Sequence, residues 1–221
     1  MNFLGFGAIF DYDGVIVDTE PIYLLAMQEM AKKRGKDFTL ETKREVMGTG
    51  GLLSMKIMKE RLSLKENPEE LLKERSEIYG RLLSRFGIAP RPGLSFALTL
   101  FKKMGFEKAI ASSSQRKWIE MGLKSLGIEN EFKVIVSGEE VKEAKPAPEI
   151  FLLASSRLGI DKEKCLVLED TLPGVKAAKG ARMRCIAIPN QYNQDEDFSL
   201  ADRKISSLLE ITEEMIREIF L

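Results

Sequence analysis

Acidic, hydroxyl and amino side chains follow short apolar runs of the sequence, at points where buried strands are expected to end. These residues are Asp11, Asp13, Ser112, Lys145, Glu169 and Asp170. Carboxylates gathered at one place repel one another unless a cation neutralises them, and an all-oxygen ligand set suits Mg²⁺. A hydroxyl and a lysine beside such an ion can hold phosphoryl oxygens by hydrogen bonding and by charge. Together these groups would supply the positioning and charge neutralisation that phosphoryl transfer requires.

Histidine does not occur among the 221 residues, which narrows the chemistry further. Its absence excludes Ser-His-Asp and Cys-His nucleophile pairs, His-ligated zinc and histidine acid–base catalysis. The two cysteines, Cys165 and Cys185, each lie in an apolar stretch and are expected to be small buried hydrophobic residues. A calcium loop beginning at Asp11 is also excluded, because its twelfth position is Ile22 rather than a glutamate. Any reaction therefore has to use carboxylates, hydroxyls, lysine and a hard metal ion.

The chain is electrically balanced, since Lys plus Arg and Asp plus Glu each number 34. Binding of nucleic acid or of an anionic membrane surface would require a basic excess, so neither partner is expected. Hydrophobic residues make up 44% of the chain, yet no apolar stretch approaches the roughly 18 residues of a membrane-spanning helix. The first residues lack the basic and small-residue features of a signal peptide. These observations predict a cytoplasmic globular protein.

Two patterns in the spacing of apolar residues divide the sequence into two kinds of segment. Between about residues 20 and 85, apolar residues recur at helical spacing, which predicts a bundle of about four helices. Phe6–Phe10 precedes this segment as a predicted buried strand, and apolar strands alternating with amphipathic helices follow it. The later strands are expected at Lys108–Ala111, Lys133–Val136, Cys165–Leu168 and Arg184–Ile188, and the helices at Leu94–Met104, Arg116–Leu126, Glu149–Leu158 and Gly174–Lys179. Such alternation predicts a parallel sheet covered by helices on both faces.

The predicted fold class is therefore α/β, a doubly wound and mostly parallel sheet with an inserted α-helical cap domain. Residues 1–17 and 90–221 would form the core domain, and residues 18–89 the cap. Asp18 and the Pro-rich segment Ala89–Gly93 lie where the two domains join, so they are expected to form a hinge. In open parallel sheets ligands bind beyond the carboxyl ends of the strands, which is the edge where the polar residues are expected.

Four short motifs, in this order, resemble those of the haloacid-dehalogenase superfamily. They are Asp11-Tyr12-Asp13-Gly14-Val15, Ser112, Lys145-Pro146 and Glu169-Asp170. The helical insertion directly after the first motif corresponds to the cap domain of that superfamily. The segments Asp18-Thr19-Glu20-Pro21 and Lys145-Pro146-Ala147-Pro148-Glu149 are similar to its β-phosphoglucomutase and sugar-phosphatase branch in particular. The resemblance covers essentially the whole chain.

Each motif taken singly also has a structural interpretation. Asp13-Gly14 could be a turn, Ser112–Ser114 an N-cap for the next helix, and Glu169-Asp170 a helix cap. The segment Gly48–Gly51 does not match a phosphate loop, because it follows a predicted helix and lacks a following Lys-Ser/Thr, so it is expected to be a turn between cap helices. The order of all four motifs together with the insertion favours the catalytic interpretation.

The resemblance implies that Asp11 is the nucleophile, which takes the phosphoryl group and also binds Mg²⁺. It implies that Asp13 protonates the leaving alcohol, then takes a proton from the water that cleaves the aspartyl-phosphate, and binds the metal through its backbone carbonyl. Asp170 is implied as a direct metal ligand and Glu169 as one that acts through water. Splitting hydrolysis into two steps lets one carboxylate serve first as an acid and then as a base.

The other site residues are implied to hold the substrate. Ser112 would bind a phosphoryl oxygen with help from the backbone amide of Ser113. Lys145 would bridge the nucleophile and the phosphoryl group, so that Ser112 and Lys145 count among the catalytic residues. Glu20, with Thr19 beside it, is expected to contact the substrate near the active edge of the sheet.

Two positions depart from the β-phosphoglucomutases that the chain resembles. Tyr23 stands where they carry a histidine, and Gly51 where they carry an arginine of the cap. Without that arginine an obvious holder for a second phosphate is missing, so hydrolysis is favoured over phosphomutase chemistry. The expected function is that of a Mg²⁺-dependent phosphatase acting on a small phosphorylated metabolite, with a sugar phosphate favoured and a phosphomutase as the alternative. The resemblance also implies a monomer.

A phosphoacceptor module of the response-regulator receiver type is a further alternative, since such receivers also use a phosphorylated aspartate. They are about half as long as this chain and lack a cap insertion. Length and organisation therefore favour the enzyme.

Overall fold

A six-stranded parallel sheet lies at the centre of residues 3–221, the part of the chain that the computed structural model describes. Its strands are β1 (Gly7–Phe10), β2 (Glu107–Ser112), β3 (Val134–Ser137), β4 (Cys165–Glu169), β5 (Arg184–Ala187) and β6 (Arg203–Lys204). Their order across the sheet is β3-β2-β1-β4-β5-β6, and every neighbouring pair is parallel. The first two residues of the predicted core segment 1–17 lie outside the described residues.

Strand β1 occupies the middle of the sheet because it is apolar on both sides. Its four residues are all buried, with Ala8 and Phe10 in the hydrophobic cluster on one face and Ile9 in the cluster on the other. Short apolar runs of this kind suit a sheet that is covered on both faces. Because β1 pairs with both β2 and β4, its carboxyl end lies between theirs.

Four helices follow β1 before residue 87, in the segment where the helical spacing predicts a bundle. They are α1 (Glu20–Lys32), α2 (Leu40–Val46), α3 (Gly51–Leu62) and α4 (Pro68–Phe86). They pack around a hydrophobic core of their own, whose most buried members include Met30, Met55, Met58 and Tyr79. Helix α4 begins with a capping box, in which the side chains of Asn67 and Glu70 each accept from the other's backbone N–H.

Helices on both faces of the sheet confirm the predicted doubly wound α/β fold. They are α5 (Leu94–Met104), α6 (Arg116–Leu126), α7 (Glu149–Leu158), α8 (Leu172–Gly180) and α9 (Glu213–Ile219). The apolar sides of α5, α6 and α9 belong to the hydrophobic cluster on one face, and those of α7 and α8 to the cluster on the other.

The two segments that connect the helical insertion to the sheet run side by side. The backbone N–H of Asp18 donates to the carbonyl of Ala89 at 3.1 Å, and that of Arg91 donates to the carbonyl of Ile16 at 2.9 Å. Adjacent linkers are the arrangement that a hinge requires, since both must bend together. The exact domain boundaries stay a prediction.

The ends of the strands and helices predicted for the core lie within two residues of those observed. Strand β6 and helix α9 were not predicted, because two exposed residues and a seven-residue helix give little periodic signal. Within residues 3–221, no helix is both long and apolar enough to span a membrane.

Candidate active site

The loop after β1 directs two carboxylates into a cavity and the tyrosine between them into the core. Asp11 and Asp13 line this cavity, which lies between the helical insertion and the carboxyl ends of the strands. Tyr12 is fully buried, and its hydroxyl donates to the carbonyl of Trp118 at 3.3 Å. Gly14 then turns the chain with a φ of 79°, a conformation that glycine adopts readily.

Lys145 connects the carboxylates at the ends of β1 and β4. Its Nζ donates to Asp11 Oδ1 at 2.7 Å and to Glu169 Oε1 at 2.6 Å, and its side chain is only 3% exposed. Glu169 Oε2 accepts from the backbone N–H and the hydroxyl of Thr171, at 2.7 and 2.9 Å. Both oxygens of Glu169 are therefore engaged, which is consistent with the prediction that it reaches a metal through water.

Hydroxyl groups surround the carboxylate of Asp13. Thr19 donates to its Oδ1 and Ser114 to its Oδ2, both at 2.5 Å, while Ser112 Oγ lies 3.4 Å from Oδ2. Ser114 Oγ is in turn 2.9 Å from the hydroxyl of Tyr23 on α1. Thr19 is fully buried and lies behind Asp13 rather than on the cavity wall. The side chain of Thr19 thus forms its hydrogen bond with Asp13, and the expected contact between Thr19 and substrate stays a prediction.

Two buried asparagines orient Asp170, and the sequence analysis did not identify them. Asn190 Nδ2 donates to Asp170 Oδ2 at 3.0 Å, and Asn193 Nδ2 donates to the Asp170 carbonyl at 2.7 Å. The asparagines also contact each other, because Asn193 Oδ1 accepts from the Asn190 backbone N–H at 2.9 Å. They follow β5, the neighbour of β4, so their position after a predicted strand was the signal that could have revealed them.

Burial among like charges shifts the pKa values of the central groups. Burial raises the pKa of Asp11 to about 8, against the opposing effect of the Lys145 charge. Burial also raises the pKa of Asp170 well above its ordinary value, and the charges of Glu169 and Asp11 add to this. Burial alone would lower the pKa of Lys145, but its two carboxylate partners raise it overall. One ammonium group therefore does not neutralise the carboxylates gathered here.

Three of the buried carboxylates have the arrangement of a hard-metal site. One oxygen from each of Asp11, Glu169 and Asp170 lies within 4.8 Å of the others. An all-carboxylate set of this kind suits Mg²⁺, and a divalent cation would offset both the burial and the mutual repulsion that raise the pKa values of Asp11 and Asp170. The residues present therefore fit the metal ion expected from the sequence.

The helical insertion supplies the opposite wall of the cavity. Glu20 at the start of α1 accepts a hydrogen bond from Lys43 Nζ of α2 at 2.5 Å. Lys43 also lies over the ring of Tyr192, 4.0 Å from its centroid, which links the insertion to the core. Tyr23 of α1 and Arg75 of α4 complete this wall.

The segment Gly48–Gly51 connects α2 to α3, which confirms that it is a turn between helices. It lies against the core: a β-carbon at Gly48 would be 2.6 Å from Thr171 Oγ1, and one at Gly50 would be 3.2 Å from Ala144 Cβ. The insertion and the core are thus closely apposed around the cavity.

The structure gathers nearly all residues that the sequence analysis proposed for the site. Those that line the cavity are Asp11, Asp13, Glu20, Ser112, Ser113, Lys145, Glu169 and Asp170. Lys43 and Arg75 were missed, because basic residues in an amphipathic helix normally indicate a solvated face. Only the packing of the helices shows that these two face inward.

Comparison with known proteins is consistent with this geometry. A family model described as haloacid dehalogenase-like hydrolase matches residues 8–188. The phosphorylated carbohydrates phosphatase of Thermotoga maritima is 38% identical over 173 residues, which cover 78% of this chain and 80% of that protein.

Two solved structures are similar over nearly the whole chain. The β-phosphoglucomutase of Clostridium difficile superposes with a TM-score of 0.86 and 25% identity, covering 98% of this chain and 97% of that one. A CbbY mutant from Rhodobacter sphaeroides, in complex with xylulose-(1,5)bisphosphate, gives a TM-score of 0.81 and 29% identity, covering 92% and 95%.

Proposed function

The chain belongs to the haloacid dehalogenase-like hydrolase family, and on this premise we propose that it is a Mg²⁺-dependent phosphatase of small phosphorylated sugars. The reaction would proceed through an aspartyl-phosphate on Asp11. The observation that carries the proposal is the buried contact of Lys145 with Asp11, in a cavity that also contains a second carboxyl group, that of Asp13. The name of the Thermotoga maritima relative supports a sugar phosphate as the substrate class.

In the first step, a carboxylate oxygen of Asp11 attacks phosphorus, and the bond from phosphorus to the sugar oxygen breaks. Lys145 holds the attacking carboxylate, while the Ser112 hydroxyl and the Ser113 amide hold phosphoryl oxygens. Asp13 gives its proton to the departing sugar oxygen. Burial raises the pKa of Asp13, although hydrogen bonds from Ser114, Thr19 and Ser112 oppose this, so a protonated Asp13 is accessible for the task.

In the second step, the same carboxyl group acts as the base. Asp13 takes a proton from a water molecule as that water attacks phosphorus. The bond between phosphorus and Asp11 breaks, which releases inorganic phosphate and restores the free carboxylate. The hydroxyl groups of Thr19 and Ser114 keep Asp13 in one position through both steps.

The metal site belongs to the same edge of the sheet. Asp11 and Asp170 would hold Mg²⁺ directly, together with the backbone carbonyl of Asp13, and Glu169 would act through water. When bound, the ion supplies neutralisation of the negative charge that the phosphoryl group brings to the carboxylates.

Phosphate release from a panel of phosphorylated sugars, p-nitrophenyl phosphate and acetyl phosphate, with Mg²⁺ or with a chelator, tests the proposal. We expect release only with the metal. We also expect Asp11→Asn to abolish turnover without changing the circular dichroism spectrum, and Asp37→Asn, at an exposed acid, to behave as wild type. Wild-type turnover by Asp11→Asn would remove Asp11 as the nucleophile, and no release from any ester would reject the phosphatase.

A phosphomutase is the second candidate, because the fold similarity to the β-phosphoglucomutase of Clostridium difficile extends over nearly the whole chain. Interconversion of sugar monophosphates that requires a sugar bisphosphate, without net phosphate release, would establish it. Tyr23 and Gly51, which replace the histidine and arginine of similar phosphomutases, favour hydrolysis.

A further inference from the structure

A turn after β5 connects the expected metal site to the helical insertion. It comprises residues 190–193 and is named here the asparagine turn. Asn190 Nδ2 donates to Asp170 Oδ2 at 3.0 Å, and Asn193 Nδ2 donates to the Asp170 carbonyl at 2.7 Å. Among the described residues, the lining of the cavity includes no member of this turn. The turn therefore acts on the metal site through Asp170 and not by touching the ion or the substrate.

Hydrogen bonds within the asparagine turn hold it as one rigid unit. Asn190 Oδ1 accepts from the Tyr192 backbone N–H at 2.9 Å, and Asn193 Oδ1 accepts from the Asn190 backbone N–H at 2.9 Å. Asparagine favours such turns because its side chain bonds the backbone nearby. Asn190 and Asn193 are 9% and 1% exposed, so water weakens these bonds little. A displacement of one residue therefore moves the others, and with them the groups that orient Asp170.

Helix α2 of the insertion contacts the same turn. The ammonium group of Lys43 lies over the ring of Tyr192, 4.0 Å from its centroid, and Lys43 is only 3% exposed. A cation–π contact is stronger when it is removed from water in this way. Asn190 Nδ2 also contacts the Sδ atom of Met47, at the C-terminal end of α2, at 4.0 Å. One amide group thus touches both a side chain of the insertion and an expected metal ligand.

We propose that the asparagine turn couples closure of the helical insertion to Mg²⁺ binding, with Tyr192 as the positioning residue. The proposal rests on the metal site of the phosphatase function proposed above. Opening of the hinge withdraws Lys43 and Met47 from the turn, which leaves Asp170 less firmly oriented toward the ion. Because coupling between two sites is reciprocal, a bound ion in turn favours the closed state.

A purely local role for Tyr192 has different consequences. If its ring served only to stabilise the turn, metal affinity would fall when Tyr192 is replaced but would not depend on Met47, which belongs to the insertion. Mg²⁺ would also have no effect on closure. Both residues are uncharged, so replacing them leaves the electrostatic attraction of the ion unchanged.

Calorimetric titration of the protein with Mg²⁺, without substrate, measures the effect on affinity. We expect Tyr192→Leu and Met47→Ala each to raise the Kd for Mg²⁺ by about fivefold or more. The double variant should lose less than the product of the two losses, because both act through one turn. Tyr192→Phe keeps the ring over Lys43, and Gln191→Ala changes an exposed neighbour, so both should bind Mg²⁺ as wild type does. Circular dichroism checks that each variant is folded, and wild-type affinity in either folded variant, Tyr192→Leu or Met47→Ala, would overturn the proposal.

Trp118, the only tryptophan of the chain, reports closure of the insertion. It lies on α6 with its ring 5.5 Å from that of Tyr79 of α4, and a β-carbon at Gly80 would lie 2.5 Å from its Cη2. We expect saturating Mg²⁺ to reduce acrylamide quenching of Trp118 fluorescence in wild type, and to do so less in Tyr192→Leu. An effect of Mg²⁺ that is absent in wild type, or equally large in Tyr192→Leu, would overturn the coupling.

These outcomes are separate from those for the phosphatase, because neither measurement uses a substrate. Coupling in a protein that releases phosphate from no ester would support the role of the asparagine turn and reject the phosphatase. Phosphate release by a wild type whose Mg²⁺ affinity depends on neither Tyr192 nor Met47 would do the reverse.

Discussion

Gly14 and Asp170 approach each other so closely that no side chain fits between them. A β-carbon at Gly14 would lie 1.9 Å from Asp170 Oδ2, and the glycine has a φ of 79°. The glycine of the first motif thus lets the carboxylate of the fourth motif reach the nucleophile loop, and two motifs far apart in sequence depend on one contact.

Gly14→Ala should therefore damage both the fold and the metal site. Left-handed backbone and the overlap with Asp170 together should lower the free energy of unfolding by about 2–4 kcal/mol. Displacement of Asp170 should reduce Mg²⁺-dependent phosphatase activity by about 100-fold. Gly5→Ala is the matched control, because Gly5 has a φ of 82° but no atom near its missing β-carbon. Equal effects of the two substitutions in urea denaturation and in kinetics would contradict the contact argument.

The positions of site residues at the ends of strands explain how much of the site could be predicted from the sequence. Asp11, Ser112 and Glu169 end or follow β1, β2 and β4, which are neighbours in the sheet, so their meeting follows from the topology alone. Arg75 could not be found this way. Its side chain lies on a helix rich in charges, and its inward direction depends on how the four helices of the insertion pack.

Asp13→Asn should separate the two half-reactions. The amide cannot donate a proton to a sugar oxygen or accept one from water, so turnover of sugar phosphates should fall by about 10³–10⁴-fold. Acetyl phosphate has a good leaving group and needs no acid, so Asp11 should still be phosphorylated and the phosphorylated protein should accumulate. Intact-protein mass spectrometry after mixing with acetyl phosphate and Mg²⁺ checks this. Wild-type dephosphorylation in this variant would exclude Asp13 as the base.

Asn190→Ala should weaken metal binding without removing a metal ligand. Asn190 fixes Asp170 Oδ2 and, through its contact with Asn193, the backbone beside it. Groups that orient a ligand typically contribute 10–100-fold in metal affinity, so the Mg²⁺ concentration for half-maximal activity should rise by about that factor. Activity at saturating Mg²⁺ should recover most of its wild-type value. A loss that added Mg²⁺ does not restore would show that Asn190 acts elsewhere.

Gly48→Ala should hinder the approach of the helical insertion to the core. Its β-carbon would lie 2.6 Å from Thr171 Oγ1, and the backbone φ is 72°. Because Gly48 belongs to the insertion and Thr171 to the core, opening of the hinge can relieve the overlap at the expense of the closed state. We expect kcat/KM to fall by about tenfold. The unfolding free energy should change little more than it does in the control Gly35→Ala, because Gly35 has a φ of 64° and no atom near its missing β-carbon. Kinetics identical to those of Gly35→Ala would rule out this effect on closure.

Glu140 should make the stability of the core depend on pH. Glu140 accepts hydrogen bonds from Arg116 of α6 at 2.7 Å, from Arg157 of α7 at 2.5 Å and from the backbone N–H of Ser137 at the end of β3. Its carboxylate therefore connects α6 to α7. Burial would raise the pKa of Glu140, but these donors outweigh it and lower the pKa from 4.5 to about 2. The carboxylate therefore stabilises the fold fully above about pH 4.5, and this contribution is lost as the pH falls toward 2.

Glu140→Gln should cost about 2 kcal/mol of unfolding free energy at pH 7, after allowance for partial exposure, and clearly less at pH 3. Urea denaturation at both pH values measures this, with Glu120→Gln, which removes a more exposed partner of Arg116, as the control that should change little. A cost that is equal at pH 7 and pH 3 would show that the charge of Glu140 is not what stabilises this junction.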